Sequence, residues 1–432
     1  MDTISKINRK SFLELLAGLS GTAVLAAKMP WFNVFTSPAE AGTGASDRVR
    51  IGFIGLGIRG RALLLNALDL SKRTNIDIVS VCDNYEPHYD LAVWLTEGKP
   101  QAFYDYREML EKVPMDAVII ATPPHEHARM TIDAMKAGIH VFVEKSMART
   151  LEDVRAMHDS WRETGKIMIV GYQRLFNPVY LQVMEMLERG DIGKIGMLRA
   201  WWTRNCDWVL YDVPDGRGSA LDRRLNWRLY RKTSAGPISE LGSHHFQIAN
   251  WILGSEPLSV TGSGSINFHK DGREVHDNFS LVFRYPEGIH FSYDCLQSNK
   301  HNGVEFQVLG NKGTIHLESN KKFEEHPPPP PALIRMLNNI ESRIFDTIPI
   351  GGPTWIPAEP VTAGGEYISP DYKLDDTQLC LEAFIQFVRK GEAPAKLTEE
   401  GYLASVWCLL AEEACLTGKA VTLPRRYSLS KI

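Results

Sequence analysis

Arg50-Ile51-Gly52-Phe53-Ile54-Gly55-Leu56-Gly57-Ile58-Arg59-Gly60 is an apolar run that feeds a G-x-G-x-x-G turn. A helix-like segment follows from Ala62 to Leu70. A second apolar run, Ile76 to Cys82, then ends in Asp83. Each part has a physical task. Gly55 permits the tight strand-to-helix turn, Gly57 lets the backbone approach a pyrophosphate, and Gly60 lets the helix pack close to the strand. Free N–H groups at the start of the helix suit phosphate charge. Asp83 is placed to hold both hydroxyls of an adenosine ribose. Its charge opposes a 2′-phosphate, and no arginine follows closely to offset it. With Ile58 and Arg59 inside the turn, the stretch predicts a nicotinamide dinucleotide site that takes NAD rather than NADP.

Working outward, apolar runs alternate with amphipathic stretches from residue 48 to 172: Ile51–Ile54, Ile78–Cys82, Ala117–Ala121, His140–Val143 and Ile167–Val170. Continuous apolar runs suit strands buried on both faces. Helical patterns at Glu126–Ala137 and Leu151–Thr164 lie between them, which predicts a parallel, doubly wound α/β sheet. After Asn177 the pattern changes. A helix at Tyr180–Arg189 precedes longer strands: Met197–Arg204, Ser259–Asn267, Asn278–Tyr285, Ile289–Leu296, Val304–Leu309 and Thr314–Leu317. Turn signals such as Pro286-Glu287-Gly288 separate several of them. Residues 173–325 therefore read as an α+β domain with an open, mainly antiparallel sheet. Five consecutive prolines, Pro327–Pro331, open an irregular insert over 326–375. Two helices, Thr377–Arg389 and Glu399–Thr417, occupy the C-terminal part, 376–432.

With 432 residues, the chain suits two domains. A net charge of −4 demands no basic face and argues against a nucleic-acid partner. The six cysteines are scattered, with no C-x-x-C, and read as small core residues.

Several motifs occur in one order: the glycine turn, Val81-Cys82-Asp83, Ala121-Thr122-Pro123-Pro124 with His127, Ala137-Gly138-Ile139-His140-Val141 leading to Glu144-Lys145, Gly171 through Pro178, and Glu240-Leu241-Gly242-Ser243-His244. This order resembles the glucose–fructose oxidoreductase / inositol dehydrogenase / rhizopine-catabolism (Gfo/Idh/MocA) family over about residues 48–318. The resemblance implies a Rossmann domain joined to an open-sheet domain, with the active site between them. It also implies assembly as a homodimer or homotetramer through the open sheet. Two departures stand out. The family's Glu-Lys-Pro is Glu144-Lys145-Ser146 here. Its Asp-x-Gly-x-His-x-x-Asp has Glu240 for the first acid and Gln247 for the last.

The resemblance and the residues together name a candidate site. Lys145 ends a buried strand at the sheet's ligand-binding edge and is a candidate for proton transfer. His244 matches the family position, and Glu240, at i and i+4, is expected to share its helix face and orient it. Tyr172 and Gln173 end the fifth strand, where the nicotinamide half belongs. Thr122, Pro123, Pro124, His127 and Glu144 join the expected cofactor groove. Tyr172, Arg174, Trp227 and Arg228, with Lys145 and His244, are the expected substrate contacts. Trp201, Trp202, Trp208 and Tyr230 add aromatic surface suited to sugar C–H faces. No metal site is expected, because Glu240, His244 and His245 do not offer three convergent ligands.

The expected activity is hydride transfer at a carbohydrate CH–OH. The alternative is a redox-neutral glycosidase with tightly bound NAD, to which the G-x-G-x-Arg-Gly turn is similar. Residues 1–41 read as an export signal. Asn8-Arg9-Lys10-Ser11-Phe12-Leu13 precedes a mild apolar run, and Ala39-Glu40-Ala41 offers a cleavage site. The segment resembles a twin-arginine signal, with Arg-Lys for Arg-Arg. A periplasmic or exported protein is expected, a cytoplasmic one being the alternative, and no other segment is expected to span a membrane.

Overall fold

The computed structural model describes residues 48–325, 364–369 and 375–429. The expected export signal and most of the proline-rich insert lie outside the described residues.

The first domain is a six-stranded parallel sheet in the order β3-β2-β1-β4-β5-β6. Its strands are β1 (Val49–Ile54), β2 (Ile76–Cys82), β3 (Gln101–Phe103), β4 (Ala117–Ile120), β5 (His140–Val143) and β6 (Met168–Val170). The crossover helices are α1 (Ile58–Ser71), α2 (Glu86–Leu95), α3 (Tyr106–Lys112), α4 (Pro124–Lys136) and α5 (Leu151–Thr164). β4 is buried at every position, and β1 and β5 nearly so, because helices cover both faces. The order reverses between β1 and β4, which opens a crevice beyond their carboxyl ends. Five of the six strands match the apolar runs. β3, three residues at the sheet edge with only Phe103 buried, carries no such run.

Helix α6 (Pro178–Arg189) leads into the second sheet, of order β14-β13-β12-β11-β7-β10-β9-β8. Its strands are β7 (Ile195–Thr203), β8 (Ser259–Ser265), β9 (Asn278–Arg284), β10 (His290–Leu296), β11 (Val304–Gly310), β12 (Gly313–His316), β13 (Lys321–Glu324) and β14 (Glu366–Tyr367). All pairs are antiparallel except β7 with β10. Period-2 burial follows the pleat: Phe279, Leu281 and Phe283 are buried on β9 while Ser280, Val282 and Arg284 are exposed. β14 comes from the insert, which therefore adds an edge strand to this sheet. Two short helices complete the domain, α7 (Ala220–Leu225) and α8 (Ser243–Leu253).

The C-terminal helices join the two domains. α9 (Asp376–Lys390) packs on α1 and β1, where Arg73 pairs with Glu382 at 3.3 Å and Arg389 donates to the Asn75 carbonyl at 2.8 Å. α10 (Ala395–Thr417) lies against α8, β8, α5 and β6, with Trp407 fully buried.

Burial pushes the Glu400 carboxyl on α10 up to about 7, against an ordinary 4.5. The folded chain therefore holds a proton that the unfolded chain has lost between these values. Stability is complete below about 4.5 and falls as pH rises through about 7. Glu400→Gln should flatten that slope and raise unfolding free energy at pH 8 by up to about 3 kcal/mol, read from denaturant curves across pH 5–8. Equal pH slopes in the two proteins would show that Glu400 does not titrate in this way.

Candidate active site

A cleft of about 1290 Å³ runs along the carboxyl edge of the parallel sheet, with the second domain as its opposite wall. The glycine turn forms its floor at one end. Gly55 has φ +87°, and a Cβ there would lie 2.7 Å from Thr122 Cγ2 and 2.8 Å from the Ala121 carbonyl carbon. A Cβ on Gly60 would lie 1.9 Å from the Gly55 carbonyl oxygen. Gly57, by contrast, faces the open cleft, with His88 the nearest group at 3.6 Å. Gly57 caps α1 without a side-chain acceptor, and no acid stands in the first turn. The first N–H groups of α1 thus remain available to an anion. This open cradle fits a dinucleotide pyrophosphate.

Asp83 accepts hydrogen bonds from Leu56 N at 2.6 Å and Tyr85 N at 2.8 Å, and His88 Nδ1 lies 3.4 Å away. The carboxylate therefore locks the turn as well as facing the cleft. The second domain reaches across at this end. His88 Nε2 meets the Tyr211 hydroxyl at 2.9 Å, Arg224 donates to the Asn84 carbonyl at 2.7 Å, and its guanidinium lies 5.5 Å from the Tyr85 ring centre. No local sequence pattern marks these bridging residues: His88 sits on α2, Tyr211 in a loop and Arg224 on the short helix α7, and the packing of the two domains brings them together.

Arg59 points inward from the turn. Its Nε donates to Glu144 Oε1 at 2.7 Å, and its guanidinium also donates to Thr377 Oγ1 at 3.1 Å, on the first turn of α9. Glu144 is buried against Gly171, where a Cβ would meet its carboxylate at 3.0 Å. Of the expected cofactor residues, Gly55, Gly57, Ile58, Arg59, Asp83, Thr122, Pro123, Pro124, Glu144, Lys145 and Gln173 line the cleft. Gly60 acts one layer below, through its contact with Gly55.

Lys145, Glu240 and His244 converge at the other end. Lys145 Nζ donates to the Glu240 carbonyl at 2.9 Å and lies 3.6 Å from its Oε2, which also accepts from Arg228 Nε at 3.1 Å. Burial alone would raise the Glu240 carboxyl, but Lys145 and Arg228 outweigh it and hold the group below its ordinary range. Burial, then the charges of Lys145 and Arg174, push His244 well below 6.5, so it is a neutral imidazole at physiological pH.

Four expectations are corrected. Glu240 makes no hydrogen bond to His244. Residues Ile238–Gly242 form a π-type turn rather than α-helix, and the carboxylate turns to Lys145 and Arg228. Tyr172 does not reach the cleft. It is 1% exposed, its hydroxyl faces Ser146, Ser243 and Ser405, and burial raises its pKa, which makes it a core residue. Arg174 does not line the cleft; it is partly buried against Trp202 and paired with Glu318 at 2.6 Å. His127 is fully buried and spans two backbone carbonyls, Thr122 at 2.7 Å and Ser146 at 2.9 Å. It ties the turn after β4 to the turn after β5 from beneath the groove.

Trp202, Trp227 and Arg228 line the cleft, with Arg228 stacked 4.1 Å from the Trp227 ring centre. Trp208 and Tyr230 are buried, and Trp201 bonds the Asn302 carbonyl at 3.0 Å on the other face of β7.

The family's NAD-binding Rossmann fold matches residues 49–172, and its C-terminal domain matches residues 180–316, together more than half of the chain. The chain belongs to the GFO/IDH/MocA oxidoreductase family. It is 28% identical over 255 residues to a glycosyl hydrolase family 109 protein of Shewanella pealeana, covering 54% of this chain and 55% of that one. It is 33% identical over 217 residues to scyllo-inositol 2-dehydrogenase (NAD(+)) of Bacillus subtilis, covering 49% and 58%. The chain thus spans little more than half the length of these curated relatives. Among solved structures, the WlbA dehydrogenase of Bordetella pertussis, crystallised with NADH and UDP-GlcNAcA, superposes with a TM-score of 0.66. That match is 20% identical and covers 87% of this chain and 98% of that one, a likeness of fold.

Proposed function

We propose that this protein is an NAD-dependent oxidoreductase acting on a carbohydrate hydroxyl. The observation that carries the reading is the convergence of Lys145 and His244 at the end of a cleft whose floor is the family's NAD-binding turn. When bound, NAD supplies the hydride acceptor. The protein supplies the rest. Lys145, held by the Glu240 carbonyl and carboxylate, presents an N–H to the reacting oxygen and stabilises negative charge as it develops there. Neutral His244 offers a ring lone pair to the hydroxyl proton. The cations around His244 disfavour its charged form, so the proton it accepts is released to solvent while the hydride goes to the cofactor. Trp202 and Trp227 give the sugar ring apolar faces.

The redox-neutral glycosidase is the second reading. It is favoured by the bridge over the adenosine end, His88–Tyr211 and Arg224–Asn84, which opposes cofactor exchange. The glycosyl hydrolase relative supports it as well. One experiment separates the readings. Nucleotide is released from purified protein by acid and quantified, then sugars and glycosides are screened for NADH formation and for release of the aglycone. NADH from free sugars supports the dehydrogenase. Retained nucleotide with aglycone release and no net NADH supports the glycosidase. Failure of both reactions would refute the proposal.

Asp83 beside the ribose position supports NAD over NADP. We expect kcat/KM with NAD to exceed that with NADP by about 100-fold or more, since like charges in contact cost several kcal/mol. Asp83→Ser should narrow the ratio. A wild-type ratio near one would overturn the preference. Export through a twin-arginine-like signal is part of the proposal and rests on residues 8–41. So is assembly as a dimer or tetramer through the second sheet, whose face away from α8 and α10 exposes Val282.

A further inference from the structure

The two walls of the cleft differ in charge. On the nucleotide-domain wall four cations face four carboxylates, so the wall that receives the dinucleotide is balanced. On the opposite wall Arg204, Arg223, Arg224, Arg228 and Lys232 face Glu240 alone. The whole chain carries −4, so this excess is local. Three of the five are engaged elsewhere. Arg228 holds Glu240, Arg223 pairs with Glu274 at 2.9 Å behind the wall, and Arg224 is tied to Asn84 at the adenosine end. Arg204 and Lys232 have no ion-pair partner among the described residues.

Both line the cleft that holds the reacting groups. Arg204 follows the end of β7, two residues after Trp202, whose ring lies 6.3 Å from that of His244. Its backbone N–H donates to the Leu296 carbonyl at 2.9 Å, which fixes its origin on the sheet, and its guanidinium stacks 5.9 Å from the Trp208 ring centre. Lys232 follows Arg228 by four residues and faces His125 at the start of α4, whose ring its charge helps to keep neutral after burial has lowered it to about 4. Two cations without ion-pair partners in the cleft that holds Lys145 and His244 are a site for a negative group.

We infer that the substrate is an acidic carbohydrate, its carboxylate or phosphoryl group held by Arg204 and Lys232 on the wall opposite the cofactor. This rests on the oxidoreductase reading and names the substrate class of that site. A neutral sugar would leave both cations unpaired, whereas an acid gains a charge-assisted bond to each. Arg204, with its planar fork, is the anchor.

The test uses the full-length protein loaded with NAD and follows its tryptophan fluorescence, to which Trp202 and Trp227 in the cleft contribute. Matched pairs are titrated at low and high salt: glucose with glucuronate and glucose 6-phosphate, galactose with galacturonate and galactose 6-phosphate. At least one acid should bind tenfold or more tighter than its neutral partner, and high salt should erode that preference. The Arg204→Gln, Lys232→Gln double variant, its NAD content checked, should abolish it. Tighter uronates identify a carboxylate; tighter 6-phosphates identify a phosphoryl group. If no acid binds tighter than its neutral partner, the inference falls. NADH formation is followed in parallel. A neutral sugar oxidised without acid preference would overturn this inference and leave the oxidoreductase reading intact. A bound acid with no oxidation of any sugar would do the reverse.

Discussion

Lys145→Ala is expected to lower kcat by about 10²–10³-fold, the range for removal of a donor aimed at developing negative charge. Lys145 is the cleft cation that meets Glu240 through both its carbonyl and its carboxylate. Its loss removes the N–H aimed at the reacting oxygen and half of the positive charge around a buried acid. Removing one partner of a buried pair costs about 3–5 kcal/mol where nothing replaces it, but Arg228 remains on Glu240 and should keep the variant folded. Lys145→Met retains most of the length without the charge or the donor, and its kcat should fall similarly. The checks are kcat, bound NAD and thermal midpoint on the same samples. Turnover within a few-fold of wild type, with NAD bound, would remove Lys145 from the chemistry.

Gly60→Ala should weaken NAD binding by more than about 100-fold, close to 3 kcal/mol. It should also destabilise the fold by about 1–3 kcal/mol. The added methyl would sit 1.9 Å from the Gly55 carbonyl oxygen, a backbone atom that no rotamer change can clear. Gly55 cannot yield, because it is held at φ +87° against Ala121 and Thr122. Gly57→Ala is the informative contrast. Its methyl meets only His88, at 3.6 Å, so thermal stability should hold while NAD affinity falls. Calorimetry with NAD and a melting curve separate the two cases. A drop in melting temperature at Gly57→Ala equal to that at Gly60→Ala, with NAD affinity unchanged in the folded protein, would mean that Gly57 serves folding rather than the cofactor.

Much of this site is legible in the chain because the Rossmann turn is local chemistry. Glycines at fixed spacing, an acid after the next strand and a lysine after a buried run declare their positions without tertiary information. What escapes is what depends on direction. Tyr172 and Arg174 flank Gln173, yet only Gln173 faces the cleft, since the chain leaves β6 through a tight 3₁₀ turn over Gln173–Phe176. Glu240 and His244 satisfy helical spacing, but a π-type turn redirects the carboxylate to Arg228. His127 keeps its place in the motif order and works as a strut beneath the groove. The residues that bridge the adenosine end, His88, Tyr211 and Arg224, are brought together by the packing of one domain on the other, and no local pattern marks them.

Thr377, more than three hundred positions beyond the glycine turn, donates no chemistry, yet it holds Arg59 against the dinucleotide cradle. The order of synthesis gives that contact a meaning. The nucleotide domain leaves the ribosome first, but its groove lacks its last support until α9 has emerged and swung back onto α1. The finished cradle therefore depends on a helix encoded far downstream, and its geometry is tied to the packing of α9 on α1.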